Sequence, residues 1–227
     1  MSLLFDQVAD KFAHGIDDAM HAGNYVRGQL FVGLAKKLVR PGGYVLDYGC
    51  GPGRLSLLLA GLGLRVLGAD TSEGMIMQAR GLDRKALNVA FRTIHEFDEV
   101  LTPNTYDGIV CSSVIEYVPN ADELLKGFRT ALRESGVLVI SYANKASLWR
   151  QHWSRVESAN PMGPAQHHVW DRREFEALLT RNGFHAITRP KFFESPWDDR
   201  SWGALFRHSP YVGSLGVLVA SASPTVA

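Results

Sequence analysis

Apolar residues recur along the chain at two different periods, and their alternation is the first structural signal. Near the start, Phe5, Val8, Ala9 and Phe12 fall at i, i+3, i+4 and i+7, and Leu30, Leu34 and Leu38 mark a second helical face. Pro41-Gly42-Gly43 stops that pattern. Beyond it, unbroken apolar runs at 44–46, 65–69, 89–91, 108–111 and 137–140 alternate with helical stripes. The stripes are Leu55/Leu58/Leu59/Leu62, Met75/Ile76/Ala79 and Leu124/Leu125/Phe128/Leu132. A strand covered by helices on both sides of a parallel sheet reads as a continuous apolar run. The alternation therefore predicts an α/β chain with a doubly wound, mostly parallel sheet and right-handed crossovers.

The last third changes character. Asp171-Arg172-Arg173-Glu174 has the form of a capping box, with Phe175, Leu178 and Leu179 facing inward and Gly183 ending the helix. Two further strands are expected at 185–188 and 217–220. All five tryptophans, Trp149, Trp153, Trp170, Trp197 and Trp202, lie in this region or just before it. Such a concentration either lines a ligand pocket or forms a second hydrophobic patch or dimer contact.

Composition narrows the field. With 46% hydrophobic and 21% charged residues, the 227-residue chain has the material for a real core and is not a disordered segment. Lys and Arg number 24 against 23 Asp and Glu, a net +1, so no general attraction to nucleic acid or an acidic membrane is expected. Cys50 and Cys111, the two cysteines, make no disulfide framework and point to a reducing compartment. The opening MSLLFDQVADKF lacks a basic leader, and the most apolar stretch, 55–69, is broken by Arg65 and glycines. A cytoplasmic protein without a membrane segment is expected.

The most informative stretch is Val45-Leu46-Asp47-Tyr48-Gly49-Cys50-Gly51-Pro52-Gly53, directly before the Leu55 stripe. Glycines at a strand–helix turn permit a tight path and let the backbone N–H groups approach a ligand. The third glycine of a dinucleotide fingerprint would fall at Arg54 or Ser56, and the Gly-Lys-Ser/Thr ending of a P-loop is missing. Asp47 would repel a pyrophosphate but suits a cation. Asp70 ends the second apolar run 17 residues after Gly53, near the spacing of about 20 at which an acid binds a ribose diol. S-adenosylmethionine, a sulfonium nucleoside, meets both demands.

On these residues the chain resembles the class I S-adenosylmethionine-dependent methyltransferases, over roughly Pro41 to Ser141. Asp47-x-Gly49-x-Gly51-x-Gly53 looks like their first motif, and Gly68-Ala69-Asp70-Thr71-Ser72-x-x-Met75 like their second. The run from Tyr106 to Val118 looks like the fourth strand and the loop facing the substrate. The resemblance implies a seven-stranded sheet with its last strand antiparallel. It also implies a helical cap at 1–40, a cofactor-binding core at 41–144, an aromatic-rich lid with late strands at 145–210, and a final strand at 211–227, all in one domain.

The cofactor residues expected on this basis are Asp47, Gly49, Cys50, Gly51, Gly53, Asp70, Thr71, Met75, Ile94, His95 and Ser112, with Tyr25 and Arg27 closing over the carboxylate. Met75 also fits core packing, and the acids also fit helix caps. An acid is often present in the family where this chain reads Thr93-Ile94-His95-Glu96. Some quinone-pathway O-methyltransferases hold a metal with two glutamates and a histidine. Ser113 and Tyr117 break that set here, so no metal is expected.

For catalysis, His167 and His168 have the pKa range of a base that takes a hydroxyl proton, and Glu116 and Tyr117 follow as further candidates. The same histidines also fit a surface or capping role. The expected function is transfer of the sulfonium methyl to a small-molecule acceptor, preferably a hydroxyl on an aromatic, sugar or secondary metabolite. N- or C-methylation, a nicotinamide-dependent oxidoreductase, and a binding protein that keeps the cofactor pocket are the alternatives. No nucleic-acid or membrane partner is expected, and the chain is read as a monomer or homodimer.

Overall fold

The computed structural model describes residues 21–82, 88–156, 166–193 and 203–222. The Phe5–Phe12 stripe, Trp197 and Trp202 lie outside these residues, as do the side chains of Tyr25 and Trp153.

The first described element is the helix α1 (His21–Leu38), with Lys36 and Lys37 in its last turn complementing the helix dipole. Its buried face is Val26, Leu30, Phe31 and Ala35, while Leu34 and Leu38 flank it. The expected stripe thus lies one residue off centre. Five strands and three helices follow, and among the described residues no helix separates the third strand from the fourth: β1 (Tyr44–Tyr48), α2 (Arg54–Ala60), β2 (Arg65–Asp70), α3 (Glu73–Gly81), β3 (Val89–Thr93), β4 (Tyr106–Cys111), α4 (Ala121–Ala131) and β5 (Leu132–Ala143). A 3-10 turn, Ile115–Tyr117, comes between β4 and α4. After β5 come α5 (Leu148–Val156), α6 (Arg172–Arg181), β6 (His185–Ala186), β7 (Lys191–Phe193), a 3-10 segment (Gly203–His208) and β8 (Leu215–Ser221).

The strands form one sheet in the order β3-β2-β1-β4-β5-β8-β6, with β7 also paired to β8. Neighbours from β3 through β5 are parallel, and β8 runs antiparallel to β5. The seven expected lanes hold eight strands because the edge lane is interrupted. β6 pairs with Ala220 and Ser221, and β7 pairs with Leu215 to Val217. Between them the Thr188 hydroxyl accepts the Val219 N–H at 2.9 Å, and Pro190 has no N–H to give the ladder.

Alternate strand residues divide between two cores, as a doubly wound sheet requires. Leu46, Ile109, Leu138 and Ile140 pack with Leu124, Phe128, Phe175 and Leu179 of α4 and α6. Val45, Val110, Val139 and Val217 pack with Phe31 and Leu59 of α1 and α2. Leu58 is 48% exposed, so only part of its stripe turns inward. The helix α6 begins with a complete capping box: Asp171 accepts the Glu174 N–H, and Glu174 accepts the Asp171 N–H. Among the described residues no helix is long and apolar enough to cross a membrane.

One carboxylate ties the amino-terminal edge of the sheet together. Asp107, at the start of β4, accepts from Arg40 Nε at 2.7 Å, Arg133 Nη1 at 2.7 Å and the Tyr44 N–H at 2.7 Å. Burial raises its pKa, but these donors prevail and hold it at about 2. Replacing Asp107 with Asn should lower stability by about 2 kcal/mol, the scale of hydrogen bonds to a charged group. Because the folded-state pKa is depressed, this stabilisation is present above the ordinary value of 3.8 and is lost as pH falls toward about 2. Urea melts of both proteins at pH 7 and pH 3 check this, with a narrower gap expected at pH 3.

Candidate functional site

The sheet order sets β1 between β2 and β4, so crossovers leave it in both directions. The carboxyl ends at such a switch point form a crevice. The parallel register brings Tyr48 level with Ala69 of β2 and with Cys111 of β4, so the three following loops meet there.

The loop after β1 turns its donors back on the protein. Ala69 O accepts the N–H of Gly49 at 2.7 Å and of Cys50 at 3.0 Å, Asp70 Oδ2 accepts that of Gly51 at 2.8 Å, and Cys50 O accepts that of Gly53 at 3.1 Å. The expectation that these N–H groups reach a ligand is corrected: the turn consumes them. The glycines serve different ends. Gly49 has φ +71, and a Cβ there would collide with Val114 of the loop after β4, whereas Gly51 has φ +52 and faces open space. The contact at Gly49 is close approach between two site loops, and Gly51 leaves a ligand room.

Asp47 and Asp70 occupy different depths. Asp47 is 1% exposed and accepts from Ser56 Oγ at 2.5 Å. Burial lifts its carboxyl to about 7 despite that bond, and the nearby Asp70 charge adds to the rise. Asp70 stands at the rim, with Oδ1 accepting the Ser72 N–H at 2.9 Å. Ser72 caps α3 by accepting the Met75 N–H at 3.1 Å. Thr71 is half-buried between Asp70 and this cap, and Met75 is buried. Cys50 and Cys111 are buried free thiols whose pKa values burial pushes well up, which removes them as nucleophiles near neutrality.

On the β3 side, Ile94 is buried in the core and its N–H bonds to Asp70 O at 2.9 Å. His95 is exposed. Glu99 Oε1 gathers the N–H groups of His95 at 2.6 Å and Glu96 at 2.8 Å. These two bonds hold the Glu99 carboxyl below its ordinary pKa. Glu99 is the acid that organises this loop, and its spacing from the strand hid it from sequence reading.

The loop after β4 collects unsatisfied polar groups. Ser112 Oγ, Ser113 Oγ and Glu116 Oε2 are buried without a hydrogen-bond partner. Ser113 has φ +54, a left-handed conformation uncommon for a residue with a Cβ, held by its N–H to Ser141 Oγ at 2.8 Å. Burial pushes the Glu116 carboxyl up to about 7 against the pull of Arg150 and Arg27. Burial lowers the pKa of both guanidiniums and raises that of the Tyr117 phenol.

The candidate catalytic residues do converge. The carbonyl of Glu116 accepts the N–H of His167 at 2.8 Å and of His168 at 3.2 Å, so main-chain bonds dock the histidine segment on the β4 loop. His168 Nε2 lies 3.2 Å from Pro119 O, and its ring stacks on Trp170 at 5.1 Å. The His167 side chain is exposed. Tyr117 OH accepts from Gln166 Nε2 at 3.3 Å, and Gln166 Oε1 accepts from Arg150 Nη1 at 3.0 Å. Sequence reading missed Ser56, Arg150 and Gln166. Ser56 carried a signal, a polar residue on the buried side of a leucine helix, while Arg150 and Gln166 carried none. Among the described residues no group of three or more His, Cys, Asp or Glu is placed to hold a metal ion.

A family model described as a methyltransferase domain matches residues 25–189. The chain is 31% identical over 230 aligned positions to the ubiquinone biosynthesis O-methyltransferase of Xylella fastidiosa (strain 9a5c), covering 88% of this chain and 90% of the relative. It is 34% identical to the enzyme of the same name from Glaesserella parasuis serovar 5 (strain SH0165), but spans 46% of that relative's length. Among solved structures, the magnesium protoporphyrin IX methyltransferase of Synechocystis PCC 6803 with bound SAH superposes with a TM-score of 0.74 at 21% identity, covering 98% of each chain. An S-adenosylmethionine-dependent methyltransferase from Mesorhizobium loti gives 0.63 at 19% identity, over 85% of this chain and 97% of that one.

The unequal roles of two glycines make a stability prediction. Gly49→Ala should cost about 3 kcal/mol, combining a left-handed φ with overpacking against Val114, and Gly51→Ala about 1 kcal/mol from its φ alone. Denaturant melts of the two variants check the order, and equal losses would contradict the close approach at Gly49.

Proposed function

Because the chain belongs to the methyltransferase domain family, among the class I S-adenosylmethionine-dependent methyltransferases, we propose that it methylates a hydroxyl oxygen of a small-molecule acceptor. The observation that carries this reading is the set of buried, unbonded polar atoms at Ser112, Ser113 and Glu116, beside two carboxylates at the strand ends. Buried polar atoms are normally satisfied, so several together at one crevice mark a ligand's place. The hydroxyl preference rests on the relatives' O-methyltransferase activity.

The residues present fit S-adenosylmethionine. When bound, it supplies a methyl group on a sulfonium, whose C–S bond breaks with the electron pair left on sulfur. Asp70, at the rim of β2, would accept from the ribose hydroxyls. Asp47, buried beneath the glycine loop, acts through its charge on the cationic methionine end, and Gly51 leaves room for close approach. Arg27 is buried near Glu116 and Tyr117 and would meet the carboxylate. Ile94, Met75, Thr71 and His95 would hold the adenine. A dinucleotide fits less well, because the loop N–H groups a pyrophosphate would need already have partners.

The acceptor would lie over the loop after β4, between that loop and the segments carrying Trp149, His168 and Trp170. The chain's task there is orientation, exclusion of water and removal of a proton. In neutral His168, the contact with the Pro119 carbonyl places the proton on Nε2, because a carbonyl only accepts, and leaves Nδ1 as the basic atom.

Calorimetry tests the cofactor reading: S-adenosylhomocysteine should bind and NAD(H) should not, and the reverse would end it. Asp70→Ala should weaken S-adenosylhomocysteine binding by about 1.5–3 kcal/mol. An unchanged dissociation constant would remove Asp70 from the ribose. For the base, labelled methyl transfer to a panel of phenols and catechols is the measurement. His167→Ala and His168→Ala should together lower turnover by about 100-fold with cofactor affinity intact. Full rate in the double variant would clear both histidines of the chemistry.

A further inference from the structure

Glu116 and Arg150 act on each other's charge without a hydrogen bond between them. Arg150, on α5, donates Nε to Ser214 O at 3.1 Å and Nη1 to Gln166 Oε1 at 3.0 Å. Gln166 in turn donates to Tyr117 OH, so the guanidinium is held at both ends, between the loop after β4 and the amino end of β8, which lies beside the carboxyl end of β5. Among the described residues nothing bonds Nη2. Glu116 acts on Arg150 through space and not by a hydrogen bond, and among the described residues Glu116 Oε2 has no hydrogen-bond partner.

Burying a guanidinium without a direct ion pair is costly, and such a charge persists where something of opposite sign uses it. The charges of Arg150 and Arg27 both act on the Glu116 carboxylate. Arg27 is taken up by the cofactor's carboxylate in the reading above. That leaves Arg150, which Gln166 links to Tyr117 on the loop that also carries the unbonded hydroxyls of Ser112 and Ser113.

Resting on the methyltransferase reading, we propose that Arg150 is a catalytic residue that binds the acceptor oxygen through Nη2 and stabilises it as an oxyanion, with Glu116 setting how strongly. The acceptor O–H bond breaks, its proton passes to the histidine pair, and its electron pair stays on oxygen as a negative charge facing Arg150. The acceptor class is a phenol-type hydroxyl, acidic enough for one guanidinium to hold it ionised. The positive charge needed at the acceptor is then a resident side chain.

The test uses 4-nitrophenol, whose ionised form is seen by its visible absorbance, titrated on the full chain with saturating S-adenosylhomocysteine. The bound probe should ionise about one to three pH units below its value in solution, as a nearby opposite charge dictates. Arg150→Met should abolish the shift and Arg150→Lys keep part of it. Glu116→Gln should move the ionisation further down, because it removes the opposing charge. A merely structural disturbance would not move the two sites in opposite directions.

An unshifted probe in the native protein, a shift that survives in Arg150→Met, or a Glu116→Gln shift upward overturns the proposal. If Arg150→Met fails to fold, the Glu116→Gln and Arg150→Lys arms decide. Calorimetry on the same samples separates the two readings. A native protein that takes no S-adenosylhomocysteine overturns the methyltransferase reading and the proposal with it. Normal binding with an unmoved probe overturns the Arg150 assignment alone.

Discussion

The carboxylate of Asp70 accepts the N–H of Gly51 on one oxygen and of Ser72 on the other, and so binds the loop after β1 to the start of α3. Much of the crevice depends on this. With Ala69 O accepting from Gly49 and Cys50, the end of β2 supplies the acceptors for three N–H groups of the glycine turn. The turn brings Gly49 against Val114, so the loop after β4 takes its position from the loop after β1. A single carboxylate therefore couples the three strand ends around which the site is built. Its partners are backbone N–H groups, which are charge-assisted donors in fixed positions.

The crevice is electrically divided. Over β1 and β2 stand two acids, Asp47 and Asp70, while the loop after β4 is overlooked by Arg27 and Arg150 around Glu116. A ligand with a cationic centre near one end and an anion near the other matches that division. Burial is what gives both halves their strength: it raises the Asp47 and Glu116 carboxyls to about 7 and lowers both guanidiniums. Each of these groups is more easily ionised when a ligand of opposite charge arrives, so binding and charge state are linked.

The amino-terminal edge of the same sheet has no such tension. Asp107 there is met by Arg40, Arg133 and a backbone N–H and is held ionised. The two edges of one sheet thus show opposite treatments of buried charge. At the edge that fastens elements together, the carboxylate is fully partnered. At the carboxyl ends of the strands, Glu116 Oε2 and two serine hydroxyls are left unbonded among the described residues, a cost borne by the stability of the rest.

Periodicity in the chain was enough for the order of elements, the parallel core and the capping box at Asp171, because each follows from residues a few positions apart. That Asp47 and Asp70 fall in the first two strands and the glycines in the turn was likewise legible, since a strand–turn–helix passage is local. What needed the fold was every relation between distant segments. The N–H groups of Gly49 and Gly51 were open in the sequence and are closed in the structure, because their acceptors come from β2. The edge lane breaks at Thr188 and Pro190, where β8 supplies the partner. Arg150 and Gln166 left no local mark, and they reach Tyr117 only because the segment after β5 folds back over β4. Backbone propensity and side-chain period are short-range quantities, whereas the charge balance of a buried site depends on which remote residues packing brings within a few ångströms.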